Sequence, residues 1–217
     1  MSERCFFLPL PPSSDSVNNN VRSYTPAGIT GTIVTLAGSA HSIVFDAFTG
    51  SMLVTLYTPG QVLRLDASGG VTIVAGGGAL PALTVGVLAT SVALNAIPFA
   101  APDSSGGFYF AQQTQRVVSY VNASGYLSRA VGNGSSGTTG DGGAASSATL
   151  NSPFCVTIDA TAAGYYVCDF SVGMVRYVSF SSGVISTTAG VGTPGVSGDG
   201  APATTAKLSG PVQVRSM

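Results

Sequence analysis

Few residues in this chain can do chemistry. His41 is the single histidine and Glu3 the single glutamate; the cysteines are Cys5, Cys155 and Cys168. One imidazole removes every mechanism that needs two, and no Ser-His-Asp arrangement can be drawn from it. A satisfied structural histidine is the expectation for His41. Asp141 and Asp199 each sit in a glycine-rich loop. Calcium takes six to eight oxygen ligands, usually from clustered carboxylates, and each loop offers one. Both residues are therefore expected to structure their loops by accepting backbone N–H bonds. The run from Gly132 to Gly143 lacks the Lys-Ser/Thr pair that a phosphate cradle requires after its last glycine.

Cys155 lies in CVTID and Cys168 in YYVCD. If Thr157 faces Tyr166 across an antiparallel pair, Cys155 faces Cys168, within disulfide reach. The alternative is two buried thiols. Cys5 is left for a partner chain or as a free thiol. Asn122-Ala-Ser124 and Asn133-Gly-Ser135 are acceptor triplets for N-linked glycans, both in expected loops.

The elements that position these residues follow from composition and repetition. The chain has 217 residues, a net charge of -1 and only 8% charged residues, against about 25% in an average globular protein. A disordered chain has the reverse balance. A nucleic-acid binder needs a basic footprint that 8 scattered Lys and Arg do not supply. Abundant Gly, Ser, Thr and Val point to short strands and tight turns. Ala67 to Pro102 carries no charged residue and is long enough to span a bilayer, but it proves to be one copy of a repeat.

Shifted by 58, Ser124–Val156 lies on Ser182–Val214 without a gap, with 14 identities in 33 positions. Shifted by 56, Gly69–Asn95 lies on Gly125–Asn151. Each unit opens with a β-branched run ending in glycine (TIVTLAG, VTIVAG, LSRAVG, ISTTAG). A glycine-rich loop follows, then A-x-x-x-x-L and a proline, then three more short strands. Four short strands per unit is the pattern of a propeller blade, with alternate side chains between neighbouring blades.

The ordered pieces G-D-G-x-x-A-x-x-A-x-L-x-x-P, D-x-x-x-x-G-x-Y-V-x-D and V-R-x-V resemble the NHL-repeat family of β-propellers. The second copy departs from the pattern, with Val85 where the others have Asp141 and Asp199, and Ser119 in place of an arginine. Arg64 and Arg176 are expected at matching positions, paired with Asp46 and Asp169. The expected fold is all-β, with NHL-like blades of four antiparallel strands in an incomplete ring. An N-terminal arm covers 1–30, and repeats cover about 31–68, 69–123, 124–181 and, partially, 182–217.

Propellers of this kind include lyases and lactonases, which hold a divalent metal in the central channel through several His, Glu, Asp or Asn side chains. His41 could line such a channel but has no co-ligands. The expectation is therefore a non-enzymatic, extracellular or cell-surface scaffold without cofactor. It carries glycans at Asn122 and Asn133 and a disulfide at Cys155–Cys168, and Asp141 and Asp199 shape its loops. Its partners are copies of itself or other propeller segments, with a filament as one form of that assembly; nucleic acid and a membrane span are not expected. The alternative is a piece of a lactonase- or lyase-type enzyme whose catalytic residues lie on other blades.

Overall fold

The computed structural model describes residues 13–15, 20–25 and 28–215. They form fifteen strands in four antiparallel sheets. The first sheet has three strands, β1 (Ser13–Asp15), β2 (Asn20–Thr25) and β3 (Gly28–Thr35). Three four-stranded sheets follow: β4 (Ala40–Asp46), β5 (Ser51–Leu56), β6 (Gln61–Leu65) and β7 (Val71–Ala75); β8 (Ala100–Pro102), β9 (Phe108–Gln112), β10 (Val117–Val121) and β11 (Leu127–Val131); β12 (Pro153–Ile158), β13 (Gly164–Asp169), β14 (Met174–Ser179) and β15 (Ile185–Ala189). Within each, neighbours in sequence are neighbours in space. These are propeller blades, and the arc is not closed into a ring. Among the described residues no helix is long and apolar enough to cross a membrane.

The blades start one strand later than the repeat in the sequence. Each repeat opens on an outermost strand, whereas each sheet opens on an innermost one, so the units at 31–68, 69–123 and 124–181 straddle blades. The stretch expected as an arm over 1–30 carries β1, β2 and the start of β3. Its polar strands lack the apolar alternation that marks the others. Cys5 lies outside the described residues.

The core consists of three layers between sheets. Val21, Leu36, Met52 and Leu65 fill the layer between the first sheet and the β4–β7 blade. Leu53, Val62, Val92 and Phe110 fill the next; Val118, Leu150, Val167 and Ile185 fill the third. Adjacent residues such as Val62 and Leu63 thus enter different layers. A strand buried on both faces reads as a continuous apolar run, as β5 does.

The loops between blades are stitched in the same way each time. Gly76, Gly132 and Gly190 donate N–H bonds of 3.0 Å to Ala89, Ala145 and Ala203. At Gly132 φ is +89° and a Cβ would collide with the Arg116 carbonyl, so only glycine fits. Further on, Gly142 and Ala145 donate to the Ile185 and Gly183 carbonyls of the next blade's outer edge (2.8 and 2.9 Å). Gly86 and Ala89 do the same to Leu127 and Gly125.

Candidate functional site

The innermost strands are entered alike, through Ala40-His41 at the start of β4, Pro98-Phe99 just before β8 and Pro153-Phe154 at the start of β12. Their second residues meet at one end of the arc. The His41 ring centroid lies 6.0 Å from Phe99 and 5.5 Å from Phe154, and those two rings lie 5.8 Å apart. Tyr57 and Phe170, each just past the second strand of its blade, extend the cluster: Tyr57 is 5.5 Å from His41 and Phe170 is 5.5 Å from Phe154. A polar chain runs beside the rings. The Tyr57 hydroxyl donates to Gln113 Oε1 (2.8 Å), and Gln113 Nε2 donates to Ser152 Oγ (2.8 Å). Three blades thus converge on one aromatic, partly polar surface where a channel would open.

His41 Nδ1 lies 3.0 Å from the Pro98 carbonyl. A carbonyl only accepts, so Nδ1 carries a hydrogen, and Nε2 is the nitrogen left to hold the lone pair in the matching tautomer. The side chain is exposed. Such an imidazole can take and return a proton. It does not match a divalent metal centre: the equivalent positions hold Phe99 and Phe154, and no group of three His, Cys, Asp or Glu forms among the described residues.

The other singled-out residues lie elsewhere. Cys155 and Cys168 face each other across β12 and β13, Cα atoms 4.9 Å apart, and are joined by a disulfide. Asn122 and Asn133 are exposed. Asn122 Oδ1 accepts from the Ser124 and Tyr126 amides, while Asn133 Nδ2 donates to the Ser147 carbonyl.

Asp141 ties its loop to the following blade. Its carboxylate accepts from Arg176 (2.5 Å) and from the Thr187 amide (3.0 Å). Burial pushes its pKa up, but the bonds from Thr187 and Arg176 outweigh that and hold it below the usual carboxylate value. Arg176 is fully buried and does not pair with Asp169, contrary to expectation. Asp169 instead accepts the Asn151 and Ser152 amides (2.8 and 2.7 Å), and burial raises its pKa. Arg64 does pair with Asp46 (2.7 Å). The two arginines are not equivalent, however. Arg64 lies opposite Leu53 one residue before Leu65; Arg176 lies opposite Val167 two residues before Val178. Leu65 and Val178 end matching ladders, so a one-residue offset puts the arginines on opposite sheet faces. The residues equivalent to Arg176 are Leu63 and Ser119, each the first past a register shift.

That equivalence explains both departures in the second copy. Where the loop has Val85 in place of Asp141, the strand it crosses has Ser119 in place of Arg176, so carboxylate and guanidinium are absent together. Asp199, in the last loop, is exposed and carries no ion pair or side-chain hydrogen bond among the described residues.

Sequence reading missed Tyr57, Phe99, Gln113, Phe154 and Phe170. The recurring Pro-Phe, just before β8 and at the start of β12, was the available signal.

No family model matches the chain, and no curated protein matches it. Solved structures do. A structural-genomics protein of unknown function from Bacteroides thetaiotaomicron superposes with a TM-score of 0.65 at 19% identity, over 88% of this chain and 47% of that one. A gluconolactonase from Xanthomonas campestris gives 0.58 at 15%, over 82% and 58%. Virginiamycin B lyase from Staphylococcus aureus gives 0.53 at 13%, over 80% and 49%. The shared feature is the propeller fold, and the chain spans about half the length of these proteins. They also correct one expectation. The chain was expected to be non-enzymatic for want of a catalytic constellation, yet structures on this fold include a lyase and a gluconolactonase.

Proposed function

We propose that the chain is an arc of an NHL-like β-propeller enzyme of lactonase or lyase type. Its substrate sits over the channel-end cluster, and blades outside this chain complete the site. One observation carries the reading: a hydrogen bond from Nδ1 to a carbonyl leaves Nε2 of an exposed histidine as a base, among rings from three blades. Tyr57, Phe99 and Phe154 hold an apolar ring face of the substrate, and Gln113 and Ser152 orient its polar edge. His41 Nε2 takes a proton from water as the oxygen adds to an ester carbonyl, and returns it to the departing alkoxide. The cyclic ester opens to an acid and an alcohol, and His41 ends as it began. The order and spacing of the repeats support the NHL-like assignment. The disulfide and the exposed acceptors Asn122 and Asn133 support an extracellular or cell-surface setting.

The test is turnover of a panel of five- and six-membered lactones by the complete propeller that carries this arc, followed by acid release in a pH-stat. His41→Ala is expected to lower kcat by at least about a hundredfold, the lower range for general acid–base catalysis. Phe154→Leu is expected to raise KM more than it lowers kcat. Absence of turnover across the panel, or an unchanged rate in His41→Ala, overturns the reading.

A further inference from the structure

A row of rings joins two blades at the end opposite the channel-end cluster. That end is marked by Tyr165, which pairs with Ile158 at the close of β12, whereas Phe154 lies at the start of the same strand. Tyr109 of β9 lies 4.6 Å, centroid to centroid, from Tyr120 of β10 on one side and 4.6 Å from Tyr165 of β13 on the other. Phe180, just past β14, lies 5.4 Å from Tyr165 and is 43% exposed, so the row ends on an open ring face. The row lines a cavity of about 420 Å3 between the β8–β11 and β12–β15 blades, within the size range of small-molecule sites.

One hydroxyl in this row is not required by the fold. Tyr165 is 3% exposed and belongs to the apolar layer between the two blades. It stands at the end of its ladder, opposite Val178. In the other two four-stranded blades the same place is held by Met52, opposite Leu65, and by Phe108, opposite Val121. Both are equally buried and neither carries a hydroxyl. Burying an unbonded hydroxyl is unfavourable. Yet the Tyr165 hydroxyl makes no hydrogen bond among the described residues and is not sealed off; it opens into the cavity that Tyr165 lines. The Tyr109 hydroxyl is likewise unbonded, whereas Tyr120 donates to Asp103 Oδ2 (2.7 Å).

Both free phenols stay protonated and therefore donate. Burial, then the charge on Tyr120 and Asp103, pushes the pKa of Tyr109 up to about 12, and burial raises that of Tyr165 as well. Among the described residues Arg129 is the one charged residue lining the cavity, and no carboxylate lines it. Free donors and one cation without an acid suit an acceptor group with a single negative charge. The ring walls suit an aromatic body.

We propose that this inter-blade cavity is a binding site for a small planar aromatic carboxylate. The ligand ring packs on the open face of Phe180 beside Tyr109 and Tyr165. Its carboxylate accepts from the Tyr165 and Tyr109 hydroxyls and pairs with Arg129. The site is built from two fully described blades and is independent of the activity proposed at the channel end.

Titration calorimetry on the complete propeller that carries these blades tests the assignment with benzoate and 4-hydroxybenzoate, against benzamide, acetate and methyl glucoside. The two aromatic acids are expected to bind with Kd below about 1 mM and at least about tenfold more tightly than the other three. Tyr165→Phe copies the ring that Phe108 supplies. It is expected to weaken binding of the acids about tenfold, the share of one hydrogen bond to a charged group, with Tm unchanged or raised. Arg129→Gln is expected to bring benzoate and benzamide to similar affinities. His41→Ala is expected to leave binding unchanged, which separates this site from the channel end. The assignment is overturned if neither acid binds below about 1 mM, if Tyr165→Phe binds as tightly as the unmodified protein, or if methyl glucoside binds in place of the acids. A lower Tm in Tyr165→Phe overturns it too, because the hydroxyl would then be bonded within the fold. So does loss of binding in His41→Ala, since the acid would then sit at the channel end.

Discussion

Arg176 shows how far a single side chain depends on its partner. It is fully buried, and Asp141 supplies its counter-charge at 2.5 Å. Removing one member of a buried pair leaves a charge without compensation. Asp141→Asn is expected to lose about 2 kcal/mol, discounted from the fully buried range because Asp141 is half-exposed. Urea denaturation reads this, with Arg176→Met expected to lose less. The same residues set the response to acid. Asp46, Asp103 and Asp141 titrate below the ordinary carboxylate value, because hydrogen bonds outweigh burial. Their stabilisation is present above about pH 4 and is lost as pH falls through the lowered folded values. Asp169 has the opposite sign: burial raises its pKa, so protonation on the way down towards pH 4 favours the folded chain. The expected profile of unfolding free energy falls below about pH 4 in the unmodified protein. The fall is shallower in Asp141→Asn. In Asp169→Asn the contribution that grows between neutrality and pH 4 is absent.

Elements carry the second set of expectations. Arg116 sits at φ +57°, where the matching turns have Gly60 at +82° and Gly173 at +61°. A left-handed arginine costs on the order of 1 kcal/mol, so Arg116→Gly is expected to raise the denaturation midpoint, partly offset by glycine's greater entropy when unfolded. Gly132→Ala is expected to cost about 2 kcal/mol or more, from the left-handed φ and the collision with the Arg116 carbonyl. The Cys155–Cys168 bond closes a loop of 13 residues. A loop of that length is worth about 3 kcal/mol in the chain-entropy account, so Cys155→Ser/Cys168→Ser should lower Tm and remove the sensitivity of Tm to reductant.

At the scale of the molecule, the blades hold one another through backbone bonds from each loop to the next outer strand. Gly142 and Ala145 make those bonds; Gly200 and Ala203, their equivalents in the last loop, make none among the described residues. Amide exchange at Gly200 and Ala203 is expected to be fast, while Gly142 and Ala145 stay protected.

The blade pattern was legible in the sequence because glycines with a collision behind them and strands buried on both faces leave marks that repeat with the structure. The opposition of Cys155 and Cys168 could be counted from antiparallel register. Other features could not be read along the chain. Arg64 and Arg176 looked equivalent because a one-residue offset is invisible until the ladder is known, and that offset decides which face a side chain takes. The polar first sheet gave no apolar rhythm, so it read as an arm. The channel-end cluster joins His41 to Phe99 and Phe154, residues from three units far apart in sequence. Local periodicity governs which residues become strands, and the sequence determined that alone. Which side chains meet across strands and blades depends on the rotation between neighbouring sheets, and only the tertiary structure decided it.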